Sequence, residues 1–194
     1  MKIVMNKKVV FLFIGRTASG KSSLAKYICK NFGLKQVKSL TTRLPRTGEI
    51  DGYEDHYFVS EEEYSEINKN KEFCAYTEIN GYKYATTLEE LSESDIYVID
   101  PAGAEYLKAY CGDRFKFVEI YFSSPFELAK SRYIKRDGDE ESFYSRYNSE
   151  DKQFSEYEEK SDYDHLFVND MSFLKAANAL YDLLKSEMEK EQLQ

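Results

Sequence analysis

The chain has 194 residues, a length that predicts one compact domain with a single sizeable core. Its 27 basic and 35 acidic residues give a formal net charge of −8, which argues against non-specific nucleic-acid binding but still permits a local basic site for phosphates. Three scattered cysteines and two histidines favour a reducing, cytoplasmic environment and argue against a zinc site. The N-terminus lacks a signal-peptide pattern and no apolar run is long enough to span a membrane, so we expect neither secretion nor membrane association.

The first elements in chain order are an apolar strand, a glycine-rich loop and a helix. Residues 9–14 predict the strand and residues 22–29 the helix. The loop fits G-x-x-x-x-G-K-[ST], in which backbone N–H groups surround phosphate oxygens, a Lys reaches the terminal phosphates and a hydroxyl faces magnesium. The flanking strand and helix are the context this pattern requires, so the sequence predicts a site for a nucleoside triphosphate with magnesium. The residues assigned to it are Gly15, Arg16, Thr17, Ala18, Ser19, Gly20, Lys21, Ser22 and Ser23.

A polar loop with two arginines comes next. Gly33 predicts the end of the helix, and residues 36–40 predict a short strand. Residues 41–49 read T-T-R-L-P-R-T-G-E, a segment broken by Pro and Gly. In an extended segment Arg43 and Arg46 can direct both guanidinium groups at one anion; two solvated surface arginines are the alternative.

Residues 57–84 predict a small lobe of mixed structure. A strand at 57–59 precedes a capping box, formed by Ser60 and Glu63, that opens a short helix. The runs 72–79 and 82–85 flank Asn80-Gly81, which is the strongest short-range signal for a hairpin. The lobe either holds a second substrate or is a plain structural insertion.

Later segments return to alternating strands and helices. A capping box at Thr87 and Glu90 precedes a strand at 96–100 whose final residue, Asp100, can reach magnesium or its waters from the carboxyl end of the strand. Pro101 begins a helix to residue 107, and residues 115–122 predict another strand. The order predicts an α/β fold of the P-loop NTPase type, a three-layer sandwich with a parallel core sheet.

A cationic helical segment follows Pro125. It reads as helical to about residue 136, stops at 137–139, and resumes through residue 159. Such a pair of arms predicts a lid that closes on phosphates, although an ordinary charged helical hairpin remains the alternative. A last strand at 166–168 ends at Asn169, and the final helix shows the spacing of core packing. The cationic residues of the lid region are Lys130, Arg132, Lys135, Arg136 and Arg146.

Taken in order, these motifs resemble guanylate kinases over about residues 9–184. The run T-T-R-x-P-R-x-G-E at 41–49 is highly specific to that family, and the segments 81–86 and 168–170 match it too. The resemblance implies a core (1–36, 87–134 and 160–194), a monophosphate-binding lobe (about 37–86) and a lid (about 135–150). It implies transfer of a phosphoryl group from ATP to GMP or dGMP with magnesium. We expect a monomer or homodimer and, from the net charge, no nucleic-acid partner.

Residue roles follow from the same resemblance. Arg43, Arg46 and Tyr84 are implied to hold the acceptor phosphate, Ser39 and Thr86 to contact the guanine, and Asn169 to lie near the donor adenine. The implied catalytic residues are Lys21, Arg43, Arg132, Arg136 and Arg146; the implied acceptor-binding residues are Ser39, Arg43, Arg46, Glu49, His56, Tyr57, Glu78, Tyr84, Thr86 and Asp100; the implied metal ligands are Ser22 and Asp100.

Two departures from the family pattern concern the base. The family reads the N1–H and the exocyclic amino group of guanine with two carboxylates, at positions where this chain has Ala75 and Val98. A stranded donor on a buried base costs about 1–3 kcal/mol. Either a nearby acid restores guanine recognition or the acceptor is a different nucleotide or small phosphorylated compound. The candidate acids are Glu54, Asp55 and Glu78, of which Glu78 has an odd offset from Ala75 that places it on the opposite strand face.

Two further questions remain open in the sequence. The position of a second phosphate-binding tyrosine falls on His56 or on Tyr57, depending on where a one-residue gap is placed. Guanylate-kinase-like domains also serve as non-catalytic binding modules, which typically lack the lysine and glycines of the phosphate loop. This chain has Gly15, Gly20 and Lys21, so the sequence favours the kinase.

Overall fold

The computed structural model describes residues 7–45, 49–52, 55–70, 73–79 and 81–192. No helix within these ranges combines the length and the apolar character needed to cross a membrane. The described elements are β1 (Lys8–Ile14), α1 (Lys21–Phe32), β2 (Ser39–Thr41), β3 (His56–Phe58), α2 (Glu61–Asn70), β4 (Phe73–Ile79), β5 (Tyr82–Thr87), α3 (Leu88–Glu93), β6 (Ile96–Val98), α4 (Pro101–Cys111), β7 (Phe115–Ser123), α5 (Phe126–Asp137), α6 (Glu140–Lys160), β8 (His165–Val168) and α7 (Phe173–Gln192).

A four-stranded parallel sheet in the order β6-β1-β7-β8 forms the core. Along β1, alternate side chains enter opposite sides of the sheet, because successive residues of a strand point to opposite faces. Val10 and Leu12 pack with α4 and α6, through residues such as Leu107. Phe11 packs with α1 and α7, through residues such as Leu180. Helices therefore cover both faces, and the predicted three-layer α/β fold is confirmed.

A second, mixed sheet has the order β3-β2-β5-β4. Strands β4 and β5 form the predicted hairpin, with Ile79 opposite Tyr82 and Gly81 at a φ of 78°, a left-handed conformation that suits glycine. Asn80, the other predicted turn residue, lies outside the described residues. The hairpin places the first half of β5 beside the end of β2, where the arginine loop begins: Tyr84 pairs with Thr41, and the amide of Thr42 donates to the carbonyl oxygen of Lys83.

The strand predicted at residues 36–40 is divided between the two sheets. Gln36 makes an isolated parallel bridge to Ile96 of the core, whereas β2 starts at Ser39 and pairs with β3 and β5. The amide of Val37 still donates to the carbonyl oxygen of Ile96, at 2.8 Å. The chain therefore passes from the core sheet to the second sheet within this segment, so the one predicted strand is two short pieces that pair in different sheets.

Helices α5 and α6 form an antiparallel hairpin around Gly138, whose φ is 78°. Tyr133 of α5 and Phe143 of α6 pack with ring centroids 5.4 Å apart. The helical arms and the turn predicted in this region are confirmed. Four of its cationic side chains, Arg132, Lys135, Arg136 and Arg146, line the cleft described below, whereas Lys130 pairs with Glu140 within the hairpin.

Removal of the Leu180 side chain tests the α7 side of the core. Leu180 is fully buried, so Leu180→Ala should lower the free energy of unfolding by about 2–5 kcal/mol through lost transfer energy and a residual cavity. Leu174→Ala on the same helix is the matched control: that side chain is 60% exposed and its loss should change stability by less than about 0.5 kcal/mol. Urea denaturation measures both, and equal losses would contradict this packing.

Candidate active site

A cleft of about 1630 Å³ runs between the phosphate loop, the second sheet and the α5–α6 hairpin. Most of the predicted site residues lie on its wall. Those that line it are Gly15, Thr17, Ala18, Gly20, Lys21, Ser22, Ser23, Ser39, Arg43, Glu49, His56, Tyr84, Asp100, Arg132, Arg136, Arg146 and Asn169. Arg16, Ser19, Tyr57, Glu78 and Thr86 are not among the lining residues, and Arg46 lies outside the described residues.

Two glycines shape the phosphate loop. A Cβ atom on Gly15 would lie 2.5 Å from the carbonyl oxygen of Phe122 on β7, so no larger residue fits there. Gly20 caps α1 with a φ of 92°, a conformation that disfavours L side chains. Lys21 and Ser22, the first residues of α1, line the cleft. The positive end of the helix dipole therefore faces the cleft.

Lys21 is held against the backbone of its own loop. Its Nζ donates to the carbonyl oxygen of Arg16 at 3.0 Å. Burial lowers the pKa of Lys21 to about 8; Glu150 opposes this change, while Arg146 and Arg136 add to it. The ammonium is thus a cation at neutral pH, placed at the base of the loop.

Glu150 on α6 is a site residue that the sequence did not reveal. The backbone amide of Thr17 donates to Glu150 Oε2 at 2.7 Å, and Arg146 Nε donates to Glu150 Oε1 at 3.2 Å. The Glu150 carboxylate therefore accepts a hydrogen bond from a loop amide that, according to the motif, binds phosphate. Its one sequence signal is the i,i+4 spacing from Arg146, which by itself indicates only a surface ion pair.

Arg43 forms the second cationic centre of the cleft. Its Nη1 and Nη2 donate to the two carboxylate oxygens of Glu49 at 2.8 and 3.1 Å. Burial lowers the pKa of Arg43, but hydrogen bonds and charge interactions with Glu49 and Tyr84 outweigh it, and the pKa is raised overall. Its Nε is buried and has no hydrogen-bond partner within the described part of the chain. Arg43 thus has one buried N–H group that no described protein atom satisfies.

His56, and not Tyr57, shares the cleft with Arg43. The two residues lie on opposite faces of β3, and Tyr57 lines a separate pocket beside Lys38. His56 Nδ1 lies 2.8 Å from Ser39 Oγ. Burial lowers the pKa of His56, with Asp55 acting in the opposite direction, so the ring is neutral at pH 7.

The two positions that the resemblance assigns to guanine recognition carry no carboxylate in this chain. Ala75 and Val98 both line the cleft, so the two positions implied to read guanine present apolar side chains there. Thr86 Oγ1 lies 2.5 Å from the hydroxyl of Tyr97. Tyr97 itself lines the cleft and was missed, because a tyrosine in an apolar strand reads as core.

The three acids considered as substitutes for the missing guanine-reading carboxylates differ in position. Glu78 does not line the cleft, and its carboxylate accepts a hydrogen bond from Tyr76 at 3.3 Å. Asp55 does line it but is bound to Gln36 at 2.8 Å and to Lys26 at 3.2 Å. Glu54 lies outside the described residues.

Asp100 lines the cleft just beyond the carboxyl end of β6. Its Oδ1 accepts hydrogen bonds from the amide of Gly103 at 3.0 Å, as the cap of α4, and from Gln153 Nε2 at 2.8 Å. Ser22 lines the same cleft as Asp100. Both proposed magnesium ligands present oxygen atoms, the ligand type that Mg²⁺ prefers. Among the described residues no group of three or more His, Cys, Asp or Glu could hold a metal.

Arg132 connects the α5–α6 hairpin to the end of β8. Its Nη1 donates to Ser124 Oγ at 3.0 Å and its Nη2 to the carbonyl oxygen of Asn169 at 3.3 Å. Asn169 Nδ2 in turn donates to the carbonyl oxygen of Ser19 at 2.8 Å. These contacts place Arg132 and Asn169 at the α1 end of the phosphate loop.

A pH series tests the neutral state of His56. The folded-state pKa is lowered, so between that value and the unfolded value of about 6.5 the unfolded chain binds more protons, and stability falls on acidification. The His56→Gln variant should therefore lose less free energy of unfolding than the parent between about pH 7.5 and about pH 5. Parallel curves from urea titrations would contradict the assignment. The charged groups nearby, Arg43, Glu49 and Asp55, are present in both proteins.

Comparisons with known proteins agree with this geometry. The family model described as guanylate kinase matches residues 6–187. The guanylate kinase of Geobacter metallireducens is 31% identical over 187 residues, covering 92% of this chain and 89% of the relative. That of Francisella tularensis is 34% identical over 171 residues, covering 83% and 88%. A crystal structure of guanylate kinase from Anaplasma phagocytophilum has a TM-score of 0.66 at 24% identity, covering 94% of this chain and 87% of that one. The chain belongs to the guanylate kinase family.

Proposed function

We propose that this protein is an ATP-dependent nucleoside monophosphate kinase, with GMP or dGMP as the first choice of acceptor. The observation that carries the proposal is a single cleft lined by both the phosphate loop with Lys21 and the half-buried Arg43. Phosphoryl transfer needs little covalent help from a protein, so positioning two phosphates and neutralising the charge between them supply most of the catalysis.

Arg43 is the proposed anchor of the acceptor phosphate. Glu49 fixes the fork of its guanidinium, and the buried Nε has a proton still to donate. Tyr84 and the neutral His56, whose rings lie edge to face 5.7 Å apart, offer further donors beside it. An incoming phosphate oxygen would satisfy the unpaired Nε, which otherwise costs free energy as a buried donor.

The donor phosphates are assigned to the loop amides, Lys21 and the N-terminus of α1. Ser22 and Asp100 would hold magnesium together with phosphate and water oxygens, and the ion, when bound, would neutralise charge on the donor phosphates. Arg132, Arg136 and Arg146 all line the same cleft and are the proposed cations around the transferring group. Their closure over bound phosphates is the proposed role of a lid at about residues 135–150.

A different acceptor is the second candidate. It is favoured by one observation: Ala75 and Val98 leave apolar walls where the family reads guanine with carboxylates. A site that lacks a hydrogen-bond partner for a substrate group discriminates poorly for that group. The alternatives are another nucleotide or a small phosphorylated compound. A purely non-catalytic module is disfavoured by the complete phosphate loop.

A coupled ADP-release assay over all ribo- and deoxyribonucleoside monophosphates tests the proposal. We expect turnover with GMP and dGMP, and a rise of about tenfold or more in kcat/KM for GMP in the Ala75→Glu, Val98→Asp double variant. The Lys21→Ala variant is the control and should be inactive with every acceptor. ADP release with none of the panel would refute the kinase, and turnover restricted to other bases would refute the choice of GMP.

Glu150 gives a second, independent prediction. Its carboxylate occupies the amide of Thr17 and repels ATP phosphates, so Glu150→Gln should lower the Kd for MgATP by about 3- to 10-fold. Isothermal calorimetry measures the change. The exposed Glu159 of the same helix supplies the control variant Glu159→Gln, which should leave the Kd unaltered. A weaker affinity in Glu150→Gln would mean that the carboxylate supports the loop instead of competing with phosphate.

A further inference from the structure

The phosphate loop is tied to α6 by a buried arginine. Arg16 has a side chain only 10% exposed. Its Nε and Nη2 donate to the two oxygens of Glu158 at 2.8 and 2.9 Å, and its Nη1 donates to Asp151 Oδ1 at 2.9 Å. This is a bidentate pair with a second carboxylate added, the geometry in which a guanidinium is held most firmly.

Aromatic groups complete the surroundings of this pair. The Arg16 guanidinium lies 4.9 Å from the ring centroid of Tyr147 and 5.7 Å from that of Phe154, both on α6. The hydroxyl of Tyr121 on β7 donates to Glu158. Glu158 is thus fixed from the core sheet while it holds the loop, and the pKa of Arg16 is raised chiefly by Glu158.

The backbone of Arg16 links this cluster to the lysine of the loop. Its carbonyl oxygen accepts a hydrogen bond from Lys21 Nζ at 3.0 Å and another from the amide of Ser19 at 3.3 Å. The side chain and the carbonyl belong to one residue, so the ion pair with Glu158 and the acceptor that orients Lys21 are joined through a single backbone unit.

We propose that Glu158 is a positioning residue for the phosphate loop, acting through Arg16 on Lys21. The loop motif assigns Arg16 to ATP, but its side chain connects the loop to α6 and does not line the cleft. The inference rests on one part of the proposed function, namely that the phosphate loop binds ATP. It adds a residue 142 positions away in sequence to the determinants of ATP affinity.

The test compares Glu158→Gln with a matched control on the same helix. Glu156→Gln removes an exposed i,i+4 pair with Lys160 that touches no part of the loop. Calorimetry should show the Kd for MgATP raised about tenfold or more in Glu158→Gln and unchanged in Glu156→Gln. In the turnover assay the KM for ATP should rise while the KM for the acceptor changes by less than about twofold.

Arg16→Lys supplies the second variant. It keeps the positive charge but cannot form the bidentate pair, so the same rise in the ATP Kd is expected. The Arg16→Lys, Glu158→Gln double variant should be no weaker than the worse single variant, because both changes break one contact. If Glu158→Gln fails to fold, Arg16→Lys alone decides the question by the same titration.

The outcomes separate this inference from the proposed function. An unaltered ATP Kd in a folded Glu158→Gln or Arg16→Lys protein, with only the melting temperature lowered, would overturn the inference and leave a structural ion pair. Calorimetry of ATP binding needs no acceptor. A parent protein that binds ATP but phosphorylates nothing would therefore refute the kinase while the positioning role is still measured.

Discussion

The close approach of the phosphate loop to β7 is the contact on which the site depends. Only glycine fits at position 15, where a Cβ would meet the Phe122 carbonyl oxygen at 2.5 Å. The loop can therefore turn immediately after β1 and present the N-terminus of α1 at the carboxyl edge of the parallel sheet. Asp100 and Asn169 follow two other strands at that same edge, which is where ligands bind in open α/β sheets. The parallel sheet thus brings groups from distant parts of the chain to one edge, and the contact at Gly15 lets the phosphate loop join them there.

The cleft contains two positively charged centres, one at Lys21 and one at Arg43. The protein has a net charge of −8, yet Lys21 and Arg43 are both cations within one cleft. Each has a carboxylate close by: Glu150 on the loop beside Lys21, and Glu49 on the fork of Arg43. These acids reduce the cost of keeping charge partly buried. They differ in effect, because Glu49 leaves the Arg43 Nε unpaired whereas Glu150 takes an amide of the phosphate loop.

The sequence predicted the elements and their order because strand and helix periodicity, glycine stops and capping boxes are local signals. It also predicted most of the cleft wall, since the phosphate-loop and arginine-loop motifs are contiguous. It missed the ties made by Glu150 and Glu158, because each joins α6 to a loop more than a hundred residues away and no spacing encodes such a pair. The alternatives His56 and Tyr57 could be separated only by the phase of β3, which pairing with β2 fixes. The roles of the site residues, the lobe and lid boundaries and the acceptor remain predictions.

The central claim is that Lys21 and Arg43 hold two phosphates between which a phosphoryl group passes directly. Following the radiolabelled γ-phosphate of ATP in the presence of a nucleoside monophosphate tests it most directly. We expect the label in the nucleoside diphosphate. The Lys21→Ala variant should transfer no label, and the Arg43→Ala variant should need a much higher acceptor concentration than the parent to reach the same transfer. Label released solely as inorganic phosphate, or transfer indifferent to Arg43→Ala, would contradict it.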